Sequence, residues 1–117
     1  MIQEKYKTII DNLISATQSD KIQWGKTSRD SEYIVNVGQG SVTIDYSSNN
    51  DPFSSSFYEA VNFSIRNDIG EPIIRIYVQD EDAEYKYLKD FYDLVNNSYL
   101  KADKTINSMM DFLNNLK

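Results

Sequence analysis

Tyr33-Ile34-Val35-Asn36-Val37-Gly38-Gln39-Gly40-Ser41-Val42-Thr43-Ile44-Asp45-Tyr46 is the stretch that decides the fold. Two runs rich in β-branched and aromatic residues flank a Gly-Gln-Gly connection. The glycines supply the positive φ angles that a tight hairpin needs, so the pair reads as two antiparallel strands. Downstream, Val61, Phe63 and Ile65 alternate with Asn62, Ser64 and Arg66, a half-buried strand. Asn67-Asp68-Ile69-Gly70 turns the chain into Ile73–Val78, where Ile74, Ile76 and Val78 share one face and Ile73, Arg75 and Tyr77 the other. Short turns join neighbours, which predicts an antiparallel meander of four or five strands. Ile22-Gln23-Trp24 reads as a short edge strand ended by Gly25, and Ser47–Ser56, with Pro52, as a long loop.

Helices flank this sheet. Ile2, Tyr6, Ile9, Ile10, Leu13, Ile14 and Thr17 recur in steps of three and four, a helical stripe that fades at Gln18-Ser19-Asp20. Tyr85, Leu88, Tyr92, Val95, Tyr99, Ala102, Ile106, Met109, Leu113 and Leu116 alternate in the same steps, and no Gly or Pro interrupts Asp80–Lys117. Asp80-Glu81-Asp82 is expected to cap that helix. One continuous helix of about 35 residues would be roughly 52 Å long, more than a small sheet covers. Asn-Asn-Ser is a poor helix interior, so a break is expected near Asn96-Asn97-Ser98 or at Asp103 acting as a second N-cap. The expected architecture is therefore one α+β domain: helix over 1–20, antiparallel sheet over 22–78, and helix or helices over 82–117 on one sheet face. The expected core is Val35, Val37, Ile44, Val61, Phe63, Ile65, Ile74 and Ile76, with Ile10, Leu13, Ile14, Leu88, Tyr92 and Val95 from the helices.

Composition narrows the chemistry. The 117 residues include no Cys and no His, which removes thiol nucleophiles, thiolate zinc, imidazole bases and Ser-His-Asp triads. Gly38-Gln39-Gly40 lacks the third Gly and the following helix of a phosphate loop. A pair of carboxylates at glycosidase separation is a three-dimensional quantity and stays open, but few proton-transfer groups remain and no catalytic residue is assigned. No cofactor and no metal site is expected: the acidic run Asp80-Glu81-Asp82-Ala83-Glu84 lacks the turn Gly of a calcium loop. Eighteen acidic against twelve basic residues give a net charge of −6, which argues against nucleic acid and against anionic lipid. No run of apolar residues is long enough to span a membrane. Absent Cys and absent export signals fit a cytoplasmic protein.

Two surfaces carry the functional expectation. Asp80, Glu81, Asp82 and Glu84 are either a solvated helix start or an acidic face meeting a basic protein partner. Trp24, Tyr46, Tyr58 and Tyr77 fall at strand ends or on the minority face, where they form a binding patch if that face is open, or cover the sheet's second side under a loop. The first reading of function is a non-catalytic protein-binding or inhibitor module. The alternative is a small-ligand or nucleotide-binding domain stacking on Tyr and Trp, with Arg29, Arg66 or Arg75 on an anion and Arg75 beside Tyr77. Ile106, Met109, Met110, Leu113 and Leu116, with Phe112, exceed what the sheet can bury. They must meet the first helix's stripe or the same segment of a second subunit, and a homodimer is the preferred outcome.

In order, Ile22-Gln23-Trp24-Gly25-Lys26-Thr27-Ser28, Tyr33-Ile34-Val35, Ser41-Val42-Thr43-Ile44, Asn67-Asp68-Ile69-Gly70 and Tyr87-Leu88-Lys89-Asp90-Phe91-Tyr92 follow Leu13 and Thr17 of the first helix. That succession resembles a loose group of small bacterial proteins encoded in prophages and other mobile elements. Nine Lys against three Arg fit the AT-rich coding of such genomes. The resemblance spans most of residues 10–95, transfers no catalytic residue, and implies an accessory, immunity or anti-defence protein that acts by binding.

Overall fold

Alternation of period two builds five strands here. A computed structural model describes residues 2–49 and 58–116. Its elements are α1 (Glu4–Gln18), β1 (Gly25–Lys26), β2 (Glu32–Val37), β3 (Gly40–Asn49), β4 (Tyr58–Arg66), β5 (Pro72–Gln79), α2 (Tyr85–Leu100) and α3 (Ala102–Asn114). The strands form one antiparallel sheet in chain order. The fold is α+β, with a C-terminal helix in two pieces.

Register sorts the two faces. Tyr33, Ile44, Phe63 and Ile76 lie in one cross-strand row, and Val35, Val42, Ile65 and Ile74 in the next. These rows meet the helices: Leu88, Phe91, Tyr92 and Val95 of α2 and Ile10 and Leu13 of α1 join all of them but Ile74 in one cluster, and Ile74, expected in the core, lines a groove beside β5 instead. The opposite face carries Ile34, Thr43, Ser64 and Arg75 in one row and Glu32, Asp45, Asn62 and Tyr77 in another. Thr43, Ser64 and Asp45 are buried there nonetheless. Each has its partner, because an unpaired buried polar group is costly. The Thr43 and Ser64 hydroxyls bond each other, and Asp45 takes Arg29 at 2.8 Å and the Ser31 hydroxyl.

Several local expectations are corrected. The edge strand is Gly25–Lys26 rather than Ile22–Trp24, and Trp24 turns inward, donating from Nε1 to the Thr17 hydroxyl at 3.0 Å. Val37 is 42% exposed, since β2 runs on past the cover of the helices. The long loop starts later than Ser47, because β3 pairs with β4 as far as Asn49–Tyr58; the rest of it, with Pro52, lies outside the described residues. Asp80-Glu81-Asp82 does not cap α2. Glu84 is the N-cap residue and makes no side-chain cap bond, while Asp82 Oδ2 accepts the backbone N–H of Gln79 at 2.8 Å. The helix break falls between the two expected places, at Lys101, which takes a left-handed φ of 53° and, rather than Asp103, is the N-cap residue of α3. Burial of Val95 and the bond from the Tyr33 hydroxyl to Asn96 Oδ1 carry the helix through the weak Asn-Asn-Ser segment.

The β2–β3 turn needs both of its glycines, for different reasons. Gly38 has φ +57°, where a side chain is strained. At Gly40 the problem is space: a Cβ would sit 2.4 Å from the Arg66 carbonyl oxygen of β4. Gly40→Ala should therefore push β3 from β4 and cost about 1–3 kcal/mol. Urea unfolding checks this, and an unchanged midpoint would refute the close approach.

Candidate interaction surfaces

Three groups of side chains stand out, and each is placed by a different element. The first is a tyrosine cluster where α2 crosses the strands. Ring centroids lie 5.7 Å apart for Tyr33–Tyr92, 5.2 Å for Tyr33–Tyr99 and 5.6 Å for Tyr46–Tyr92. Lys89 Nζ stands 4.7 Å from the Tyr46 ring and bonds Asp93 at 2.6 Å, while Lys26 Nζ stands over Tyr33 and Tyr99. Tyr92 donates its hydroxyl to the Ser31 carbonyl at 3.0 Å. Tyr85 donates to Glu59 Oε2 at 2.8 Å, and Tyr46 bonds the same carboxylate.

That wiring sets the acidities. Burial pushes Tyr46 and Tyr92 up to about 12; the bond and charge of Glu59 add to it for Tyr46, and Tyr33 with Asp45 for Tyr92. Tyr85 is raised by burial and Glu59, Tyr87 by burial and Asp11, and Tyr33 by burial. Glu59 is held below the usual carboxylate range by the hydroxyls of Tyr46 and Tyr85. Phenols held neutral and donating to fixed acceptors are poor bases and poor nucleophiles. Tyr46 thus belongs to packing as much as to surface, and Tyr58 is half-buried where β4 begins.

The second group lines the outer side of β5, the last strand in the sheet order. Tyr77 is 53% exposed, and Arg75 is exposed beside it on the same face. A groove of about 260 Å³ runs along residues 74–78, walled by Ile2, Tyr6 and Glu84. Glu84 Oε2 holds the backbone N–H of Ile2 at 2.8 Å, so it serves the groove's wall. Asp80, Glu81 and Asp82 are exposed at the strand's end. Of the residues expected to bind, Arg75, Tyr77 and Glu84 line this groove, and Asp80, Glu81 and Asp82 follow in the chain after the strand. Trp24 is not with them: it is buried and stacked edge-on against Phe91 at 5.8 Å.

α3 is the third. Ile106, Met109, Met110, Phe112, Leu113 and Leu116 are all exposed, so they do not join the first helix's stripe. Lys104 pairs with Asp20 beyond the end of α1, fixing the start of α3 to the body, and holds the Asp20 carboxyl low. Sequence reasoning missed one further feature, an apolar hollow of about 430 Å³ among Ile9, Val37, Val42, Ile65 and Ile73. Strict alternation put Ile73 on the other face. A register shift at Ile65/Arg66 leaves it opposite no partner and swings it to this end of the sheet.

Among the described residues no three Asp or Glu side chains are placed to hold a metal ion, and no helix is long and apolar enough to cross a membrane. No protein-family model, curated protein or solved structure matches the chain.

Proposed function

We propose that this chain is a non-catalytic protein-binding module whose reading edge is β5. The observation that carries this is an edge strand paired on one side only, of sequence Pro-Ile-Ile-Arg-Ile-Tyr-Val-Gln, with a groove between it and the start of α1. Natural edge strands are usually blunted by short length, inward charges or a cover. β5 has eight residues, one charge and a groove beside it. An extended segment added there would gain main-chain hydrogen bonds, and alternate side chains would meet Tyr77 and the groove. The acids at Asp80, Glu81 and Asp82 favour a segment with Lys or Arg at the matching end. The committed hydroxyls of the tyrosine cluster support a binding role over a catalytic one. An accessory, immunity or anti-defence task in a mobile element would be a role of this kind. Burial of Trp24 removes one stacking platform of the nucleotide reading, and leaves it Tyr77 with Arg75 on the same face.

Selection of a random peptide library against the full chain tests the proposal. The enriched peptides should alternate apolar residues with Lys or Arg. Asp80→Asn/Glu81→Gln/Asp82→Asn should weaken them about five- to tenfold and flatten their salt dependence. Tyr77→Ala should weaken them about tenfold. Enrichment of acidic peptides, or indifference to both variants, would sink the reading.

A further inference from the structure

We infer that α3 is a self-association helix: two copies of the chain pair through it, antiparallel, about a twofold axis near residue 111. This goes beyond the β5 edge and does not depend on it. Every described side chain from Lys104 to Leu116 is exposed. A helix of 13 residues is marginal in water without packing, and α3 has no side-chain N-cap bond to compensate. Nor does it fold back on the body. The radius of gyration is 16.7 Å, against roughly 13 Å for a compact chain of this length. The left-handed Lys101 and the Lys104–Asp20 pair hold it at that angle.

A second copy fits this helix better than other occupants. Ile106, Met109, Leu113 and Leu116 follow a three-four-three spacing, the seam of a coiled coil. Run antiparallel, Met109 meets the partner's Leu113 in two central helical layers, and Ile106 meets the partner's Leu116, in the turn just past the helix end at Asn114, in two flanking ones, so the seam is its own complement. Met110 and Phe112 flank the seam and widen it. Charge points the same way. Residues 101–117 contain three Lys and two Asp, so sixteen acids against nine bases lie elsewhere. The helix is thus where two acidic molecules can touch without repulsion. It is also too poor in bases for an anionic lipid surface. Each large apolar side chain offers ~60–120 Å² for burial. Six on each copy bring the pair to about 1,000 Å², the size at which an interface is specific.

Sedimentation equilibrium of the full chain at tens of micromolar should give twice 13.6 kDa. Ile106→Asp/Leu113→Asp should give the monomer with unchanged near-ultraviolet tyrosine dichroism, because neither side chain lies in the core. The chain has no Cys, so orientation can be read by oxidation. Met109→Cys mixed with Leu113→Cys should cross-link through a disulfide, and Met109→Cys alone should cross-link poorly. A wild-type monomer, open-ended association, efficient cross-linking of Met109→Cys alone, or a monomer that binds phosphatidylcholine–phosphatidylglycerol vesicles through α3 would each overturn the inference.

Discussion

Raised from neutral pH, the protein should lose its fold across the range from pH 10 to about 12, and the tyrosines should drive the loss. Tyr46 and Tyr92 stand at about 12 in the folded chain against an ordinary 10.0, and Tyr33, Tyr85 and Tyr87 are raised as well. A group whose folded pKa lies above its unfolded value contributes stability fully below the unfolded value. That contribution is lost as pH climbs through the folded value, since the unfolded chain releases its proton first. Each such tyrosine lowers stability by up to about 1.4 kcal/mol per pH unit in that window, less where solvent screens it. Solvent screens Tyr46 more than Tyr92, so the loss is shared with the other raised phenols, and together they draw on the roughly 5–15 kcal/mol that holds a domain together. Tyrosinate absorbance and far-ultraviolet dichroism recorded on the same samples should move together. Ionisation of most tyrosines near pH 10 with the sheet still folded would contradict the buried, hydrogen-bonded phenols. Glu59 works in the opposite direction. Its lowered pKa gives stability that is present above the ordinary carboxylate value and lost as pH falls through the folded one.

How far the sequence foretold these features depends on which contacts each one needs. Strand alternation was legible because one face is buried and the period is two. A slip of one residue would turn Val35, Ile44 and Phe63 outward together. The seam of α2 and α3 was legible for the same reason at another period. Where it stops being core was not. The apolar spacing runs unbroken from Tyr99 to Ile106, and only the left-handed backbone at Lys101 turns the second half away from the sheet. Trp24 and Tyr77 show the limit for sites. Both are aromatic residues on short strand-like runs, yet one bonds Thr17 inside the body and the other stands on an open edge. The meander places the strand of Tyr77 last in the sheet, but local pattern does not tell that Trp24 leaves the edge and turns inward. Ile73 adds a third case, since one bulge undoes an alternation that the residues themselves still display.

Phe91→Ala should be the most damaging single truncation in the molecule. Phe91 stands one residue before Tyr92, and a strict three-four stripe takes only Tyr92 of the two. α2 packs on the sheet and on α1 at once, so its buried face is wider than one stripe. The Phe91 ring fills the join: it lies 5.8 Å from Trp24 and 6.4 Å from Phe63. It therefore ties α2 to the centre of β4 and to the segment leading into β1. Removing a buried Phe costs about 3–5 kcal/mol, the loss of burial adding to the cavity left behind. One wall of the cavity is Phe63, on a strand held by ladders on both sides, which limits collapse from the sheet. For a chain of this length that loss lowers the melting midpoint by roughly 10–25 °C. Ile69→Ala is the control, because Ile69 stands 72% exposed in the β4–β5 turn and should change stability by no more than about 0.5 kcal/mol. Intrinsic Trp24 fluorescence gives a second reading, since loss of the edge-on ring beside it should shift the emission. A Phe91→Ala protein melting within a few degrees of the parent would mean that Trp24 and Phe63 close on each other across the gap, and that the join is softer than its geometry indicates.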